Sequence, residues 1–399
     1  MSDLSVPSAV VQIGQKVVEA GHRSFLVGPA LRDLLAGISP SHFELSTGAS
    51  LSEILDCFPH GVLIKNRRDT VMVPSHAGSV DVNPFRGGAR IESELAHRDF
   101  TINAIAYGIV DREWIDPHGG RADLGRGLIR AVRRARDRID EDPIRALRAI
   151  RLAATRDWGL DPELEGALES ARTALATIPR EPVRRELIAI LLSAGASQAL
   201  AQLDRSRITA ELAPGATPGS GAVVDRLPCD LELRLAGWLR GTHAGLVLQG
   251  LRFARPTIDR VESLLRYHHA DDQINATNPA AAARFARRVG ARDLIALIAL
   301  REAEIESAGD RSEATRSALQ VLRESLTWLR NFERTASGRN QLVISGADVM
   351  ECLGCEPGPH VGRAIDYLAE CIRLNPALNS PEALRELLRD WLDEPGHPD

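Results

Sequence analysis

The apolar positions change their period once along the chain. Up to about residue 138 they come in short runs broken by Gly, Pro and Asp. Residues 24–28 (SFLVG), 61–65 (GVLIK), 69–73 (DTVMV), 79–82 (SVDV), 102–109 (INAIAYGI) and 113–115 read as strands. Residues 29–36 (PALRDLLA) read as a helix, with Pro29 in the first turn, where a missing N–H does no local harm. The pattern predicts an α+β unit with a small mixed sheet. Beyond about residue 140 the apolar residues recur at three- and four-residue intervals, as in ALRAIRLAA, ELIAILLSA, RVESLLRYH, DLIALIALREAEI and EALRELLRDWL. Breaks fall at 213–226, 271–279 and 336–343, and no clean internal repeat is visible. The expected architecture is an α+β head at 1–138, followed by an elongated all-α neck (139–213), body (214–310) and tail (311–399).

Composition narrows the class of protein. With 399 residues, 44% hydrophobic and 26% charged, the chain is ordinary globular material. It has no apolar run of membrane-spanning length, and its start, MSDLSVPSAV, lacks the basic and apolar stretches of a signal peptide. The five scattered cysteines (Cys57, Cys229, Cys352, Cys355, Cys371) argue against a disulfide framework and for a reducing, cytoplasmic setting. Cys352 and Cys355 form a lone CxxC that would share one helix face; with no second ligand pair nearby, they read as helix-face cysteines and not a zinc site. The net charge of −5 does not mark a nucleic-acid binder, but its distribution is uneven. Residues 126–156 hold ten Arg against four acids. Such a stripe, with Arg133, Arg134 and Arg136 at its centre, can neutralise phosphates. It reads equally well as a solvated helical face.

Several segments, in order from about residue 10 to the C-terminus, resemble the class II tRNA nucleotidyltransferases, a family that includes bacterial poly(A) polymerases. FLVGPALRDLLAG resembles the family's Gly-Gly-x-x-Arg-Asp loop and helix, SHFELST its Asp-x-Asp strand, and VDVNPFR the strand with a third carboxylate. HRDFTINAIAY is similar to its Arg-Arg-Asp-Phe-Thr-x-Asn-Ala segment, and IDPHGGRADLGRGLIRAV to the hairpin and helix that close the head. EDPIRALRAIRLAA resembles the Glu-Asp-x-x-Arg helix and IPREPVRREL the neck helix, while LRFARPTIDRVESLLRYHH and ISGADVMECLGCEPGPHVGRAIDYL resemble body and tail.

The resemblance implies nucleotide addition to an RNA 3′ end, an in-line attack assisted by two Mg²⁺ about 3.5–4 Å apart. Two Asp separated by one residue on a strand point to one face and can grip both ions. Here the matching positions are His42 and Glu44, with Asp81 as the third carboxylate. Neutral imidazole is a poor Mg²⁺ ligand, and Glu44 carries its charge one methylene further out. The expectation is weak or lost Mg²⁺ at Glu44 and Asp81, the other reading being a site retuned, for instance to Mn²⁺. Two further departures lie beside it: Gly28 is retained but Pro29 removes one N–H from the phosphate loop, and Asp69 precedes Thr70 where the family has Gly-Thr.

By the same resemblance Arg98, Asp99 and Asn103 would face the ribose and phosphates, Glu141, Asp142 and Arg145 would read the base of ATP or CTP, and Gly28, Arg32 and Arg148 would belong to the same nucleotide-binding set. Against this stand a buried Arg–Asp pair at Arg98 and Asp99, and an N-cap role for Asp142 before Pro143. The three-residue spacing of Asp142 and Arg145 would put both on one helix face. Arg184, with Glu181 and Glu186, would brace the neck helix. In longer relatives an HD metal motif follows the run LRLA; this chain has Arg240 and Gly241 there, and the adjacent His268 and His269 would point about 100° apart on a helix, a poor shared ligand pair.

Three functions are compatible with these residues. The first is an RNA-binding family member, for tRNA-like RNA, with nucleotide transfer lost or impaired. The second is an active CCA-adding or poly(A)-adding enzyme with an altered metal site. The third is a structural or regulatory partner of an active paralogue. The oligomeric state and the base added are not legible in the residues.

Overall fold

A computed structural model describes residues 4–64, 70–76, 78–88, 90–269, 279–309, 313–332, 342–374 and 378–392. Asp69 lies outside them, as do most of the breaks expected at 271–279 and 336–343. The chain divides into two compact units: Met1–Gly221 with Val247–Phe253, and Ala222–Leu246 with Ala254–Asp399. The finer division into neck, body and tail remains a proposal. Among the described residues no helix is long and apolar enough to cross a membrane.

The first unit opens with an α+β head. Its strands are β1 (Ser24–Val27), β2 (Phe43–Thr47), β3 (Val62–Ile64), β4 (Thr70–Ser75), β5 (Gly78–Pro84), β6 (Ala106–Gly108) and β7 (Trp114–Ile115). They form one sheet in the order β3-β4-β5-β2-β1-β6-β7. Only β2 and β5 run parallel; every other neighbouring pair is antiparallel. The sheet is mixed, as the strand pattern predicted.

β1 has all four residues buried because both faces of the sheet are covered there. Leu26 packs into one core with Val10 and Val17 of the helix Ser8–Glu19, Leu31 of the helix Gly28–Leu35 and Ile54 of the helix Leu51–Cys57. Phe25 and Val27 enter a second core with Ile91, Leu95, Ala104 and Val132. β2 and β5 alternate instead. Phe43, Leu45, Val80 and Val82 join the first core, which turns Glu44, Ser46, Asp81 and Asn83 to the opposite face. The segment 102–109, expected to be one strand, is not: Thr101–Asn103 is a 3₁₀ turn and only Ala106–Gly108 pairs with β1. The Thr101 hydroxyl donates to Asp123 at 2.6 Å and Asn103 bonds two other side chains, so both polar groups are satisfied within the turn rather than along a strand.

Helices predominate to the end of the first unit: Ala135–Glu141, Ile144–Arg156, Pro162–Ala167, Ala171–Leu175, Arg180–Leu191, Ala196–Arg205 and Ile208–Leu212. The neck, expected to be all-α, also carries the short strand Gly159–Leu160, which pairs in parallel with Leu128–Ile129. The second unit is helical throughout its described residues, with Leu231–Trp238, Arg255–Tyr267, Pro279–Ala308, Glu313–Phe332, Gly346–Leu353, Pro359–Leu374 and Pro381–Leu392 as its main helices. The long helix Pro279–Ala308 breaks at Gly290, whose φ of 80° is non-helical. The tail helices enclose a core of Val349, Leu368, Leu384, Leu388 and Trp391. Cys352 and Cys355 pack at its margin, but they do not share a helix, because Leu353 is the last helical residue and Gly354 caps it in the left-handed conformation.

Candidate active site in the head

The site assembles on the polar face of β2 and β5. Their parallel register sets Glu44 opposite Asp81 and Ser46 opposite Asn83. His42 precedes Glu44 by two residues and falls on the same side, where its Nε2 lies 2.9 Å from Asp81 Oδ2. The three positions expected to be the metal-carboxylate set therefore do meet in one place.

The partners of these groups were not expected. The Arg98 guanidinium grips Glu44 in a fork, with Nη1 2.9 Å from Oε2 and Nη2 2.9 Å from Oε1. The Asn83 amide donates to the same Oε1 at 3.2 Å. Arg98 also pairs with Glu94 at 2.8 Å, and the side chains of Arg98, Glu44 and Glu94 are only 4%, 14% and 2% exposed. Burial opposes the charge on Arg98, but Glu44 and Glu94 together hold its pKa above the ordinary arginine value. Arg98 thus departs from the expected role. Expected to face the ribose and phosphates, it is instead a buried counter-ion to the strand carboxylate. Glu94 went unremarked in the sequence, although its position four residues before Arg98 was a legible pairing signal. Arg86 also donates to it, at 2.8 and 3.0 Å.

Gly28 completes this corner. Its φ is +73°, and a Cβ there would lie 2.8 Å from both Arg98 Nη1 and Glu44 Oε2. The backbone that opens the helix Gly28–Leu35 therefore touches the ion pair directly, with Pro29 in the first turn as expected.

The remaining expected nucleotide residues form a linked row. Arg32, buried, donates to Asn103 Oδ1 and to Asp33 Oδ1, each at 3.0 Å. Burial pulls the Arg32 guanidinium below its usual pKa despite Asp33. The Asn103 amide donates to Asp99 Oδ1 at 2.9 Å, and Asp99 Oδ2 lies 3.7 Å from Arg148. Burial works to raise the Asp99 carboxyl, yet Arg148, the Asn103 amide and the Phe100 N–H hold it below the usual carboxylate range.

The base-reading group is arranged differently from expectation. Glu141 ends the helix Ala135–Glu141, Asp142 is extended at its C-cap, and Arg145 belongs to the next helix, Ile144–Arg156. Asp142 and Arg145 therefore do not share a helix face, since Pro143 interrupts the helix between them. Arg145 Nη1 binds the Arg138 carbonyl at 2.8 Å and Glu141 at 3.0 Å. The neck pairing also differs: Glu186 receives Arg151 at 2.5 Å and faces Arg148 at 3.7 Å, whereas Arg184 binds the Arg252 carbonyl.

Along the Arg stripe, Arg130 pairs with Asp123, Arg136 with Asp140, Arg138 and Arg145 with Glu141, Arg148 and Arg151 with Glu186, and Arg156 with Asp33. Among the described residues Arg126, Arg133 and Arg134 enter none of these pairs, and all three are exposed. Most of the stripe braces the fold, and its remaining cationic surface is narrow.

Two-ion Mg²⁺ chemistry asks for several unengaged oxygens in near-octahedral array. The donors here are one imidazole, the Asp81 carboxylate paired with it, and a Glu44 carboxylate already forked by Arg98, and that set does not fit the ions.

Comparison with known proteins places this architecture. Residues 24–130 match the poly A polymerase head domain. The CC-adding tRNA nucleotidyltransferase of Shouchella clausii is 37% identical over 172 residues, which cover 43% of this chain and 45% of that one. The chain thus spans about half the length of such relatives. The CCA-adding enzyme of Leuconostoc mesenteroides matches 95% of each chain at 24% identity. Among solved structures, the CCA-adding enzyme of Bacillus stearothermophilus in complex with CTP superposes with a TM-score of 0.68 at 24% identity, covering 96% of this chain and 97% of that one. The Thermotoga maritima CCA-adding enzyme complexed with tRNA gives 0.66 at 19% identity, covering 98% and 97%. Nucleotidyltransferases of this kind generally use a divalent metal. The head match, the relatives and the shared fold agree: residues 24–130 carry a poly A polymerase head domain, the first half of the chain is similar to tRNA nucleotidyltransferases, and the fold is that of CCA-adding enzymes.

Proposed function

We propose that this chain is a family member in RNA 3′-end metabolism that binds tRNA-like RNA while its own nucleotide transfer is lost or strongly impaired. One observation carries the reading. The strand carboxylate that would hold metal, Glu44, is held instead by the buried guanidinium of Arg98. A catalytic ion would have to displace that fork and leave Arg98 beside Glu94 and the incoming cation, an arrangement that a buried site disfavours. Asp81 is likewise engaged by His42. The row Arg32–Asn103–Asp99–Arg148 supports retained contact with ATP or CTP, as do the complexes that relatives form with CTP and tRNA. The exposed side chains of Arg133, Arg134 and Arg136 support contact with RNA phosphates.

A second reading keeps one specific support. Glu44 and Asp81 are paired in register on one face with His42 beside them, so a metal that accepts imidazole, such as Mn²⁺, has ligands within reach if Arg98 withdraws.

The test is direct. Purified protein is given a tRNA lacking its CCA end with labelled CTP and ATP, in Mg²⁺ and separately in Mn²⁺. The expected result is incorporation at the level of a no-enzyme control. Robust template-independent labelling of the 3′ end in Mn²⁺ alone favours the second reading, and labelling in Mg²⁺ overturns the first outright.

A further inference from the structure

The second compact unit holds a cluster unrelated to the head. The helix Arg255–Tyr267 ends immediately before the His268–His269 pair; His268 is its C-cap with helical backbone angles, and both histidines lie in the turn beyond it. The two rings nevertheless stand 4.0 Å apart between centroids. Glu304, on the helix Pro279–Ala308, completes the group: one ligand atom from each of His268, His269 and Glu304 lies within 4.8 Å of the others. We propose that these three residues form a binding site for a transition-metal ion of the zinc class.

Three features argue for it. His268 Nδ1 is 2.6 Å from the Leu265 carbonyl, which can only accept, so Nδ1 carries the proton and the Nε2 lone pair is left facing Glu304 at 3.9 Å. That is how a ligating imidazole is oriented by a second hydrogen bond. Glu304 is 8% exposed, so its carboxylate is presented with little competing water. Two imidazoles, one carboxylate and a water make up a tetrahedral zinc set, whereas Mg²⁺ and Ca²⁺ disfavour imidazole. Zinc bonds of about 2.0–2.1 Å place donor atoms about 3.4 Å apart, a closure from 4.8 Å within the reach of small side-chain rotations.

Two arginines set the strength of the site. Arg240 and Arg301 approach Glu304 at 3.3 and 3.4 Å. Each bonds a different carboxylate oxygen, at distances longer than the roughly 2.7–2.9 Å of tight charge-assisted bonds. As cations they nevertheless oppose a metal, so removing one should strengthen binding.

The experiment uses the full chain stripped with chelator and titrated with ZnCl₂ against a chromophoric competitor, with MgCl₂ as comparison and melting temperature as second readout. One Zn²⁺ per chain is expected, with a melting temperature that rises with Zn²⁺ and ignores Mg²⁺ in this unit. His269→Ala, at an exposed position, should weaken Zn²⁺ at least tenfold and abolish the thermal shift. Glu304→Gln should do the same, and Arg240→Met should bind Zn²⁺ more tightly than the unaltered chain. Zinc binding equal in the unaltered chain and His269→Ala would overturn the proposal. So would binding that disappears only with Cys352→Ser, or no binding at all, either of which leaves the cluster a purely ionic brace between helices.

Discussion

Replacing Arg98 by Met should destabilise the head by about 3–5 kcal/mol, because removing one partner strands the charge of the other in a buried place. Two carboxylates depend on this guanidinium, Glu44 and Glu94, and both are nearly inaccessible to water. Met keeps much of the packed volume, so the loss reports charge and hydrogen bonding and not a cavity. For a unit of this size the melting temperature should fall on the order of 10 °C. Glu44→Gln should cost less, about 1–2 kcal/mol, since Arg98 keeps Glu94 and the amide still accepts one bond. Thermal or urea unfolding of both variants checks this. An Arg98→Met protein within about 1 kcal/mol of the unaltered chain would mean that Glu44 does not rely on Arg98, and the carboxylate would then be open to an incoming ion.

The second large effect concerns RNA. Neutralising Arg133, Arg134 and Arg136 together to Gln should flatten the dependence of log affinity for tRNA on log salt by about two to three, close to one for each phosphate no longer neutralised. Among the described residues Arg136 is held only by the exposed Asp140 at 3.0 Å, a pair that exchanges cheaply for a phosphate. Arg133 and Arg134 enter no ion pair among the described residues. Arg148, Arg151 and Arg156 instead brace Asp99, Glu186 and Asp33, and their removal should show up as instability before it shows in RNA affinity. Binding measured between low and moderate salt separates the two groups. An unchanged slope in the triple variant would make the stripe a solvated face and favour a partner role without RNA contact.

The contrast between these arginines marks where sequence reading stops. Alternation in FELST and VDVN placed Glu44 and Asp81 on one face, because a strand's period of two leaves no other choice once Phe43, Leu45, Val80 and Val82 are buried. The helical pattern after residue 140 was equally legible. What Arg98 binds was not, since its fork with Glu44 joins residues 54 apart and depends on the way the turn after Leu95 folds back under the sheet. Ten arginines in a row of 31 residues looked like one surface, yet long-range acids such as Asp33, Asp99 and Glu186 claim much of it. The break at Pro143 was visible, but the Asp142–Arg145 spacing suggested a shared face that the proline prevents. His268 and His269 were expected to diverge by about 100°. His268 does keep helical backbone angles, yet the two rings come to 4.0 Å between centroids, which side-chain torsions decide and the sequence does not show.

The engagement of Glu44 by Arg98 and of Asp81 by His42 is tested most directly by the melting temperature of the full chain as a function of Mg²⁺. An ion bound at a dissociation constant of about 1 mM would add about 1.4 kcal/mol at 10 mM, enough to move the transition by several degrees. With both carboxylates engaged, the unaltered chain should show no such rise. His42→Asp, which sets a new carboxylate beside Asp81, should melt lower without metal and recover when Mg²⁺ is added, because the ion then binds only the folded state. A rise of several degrees with Mg²⁺ in the unaltered chain would contradict the engagement of both carboxylates.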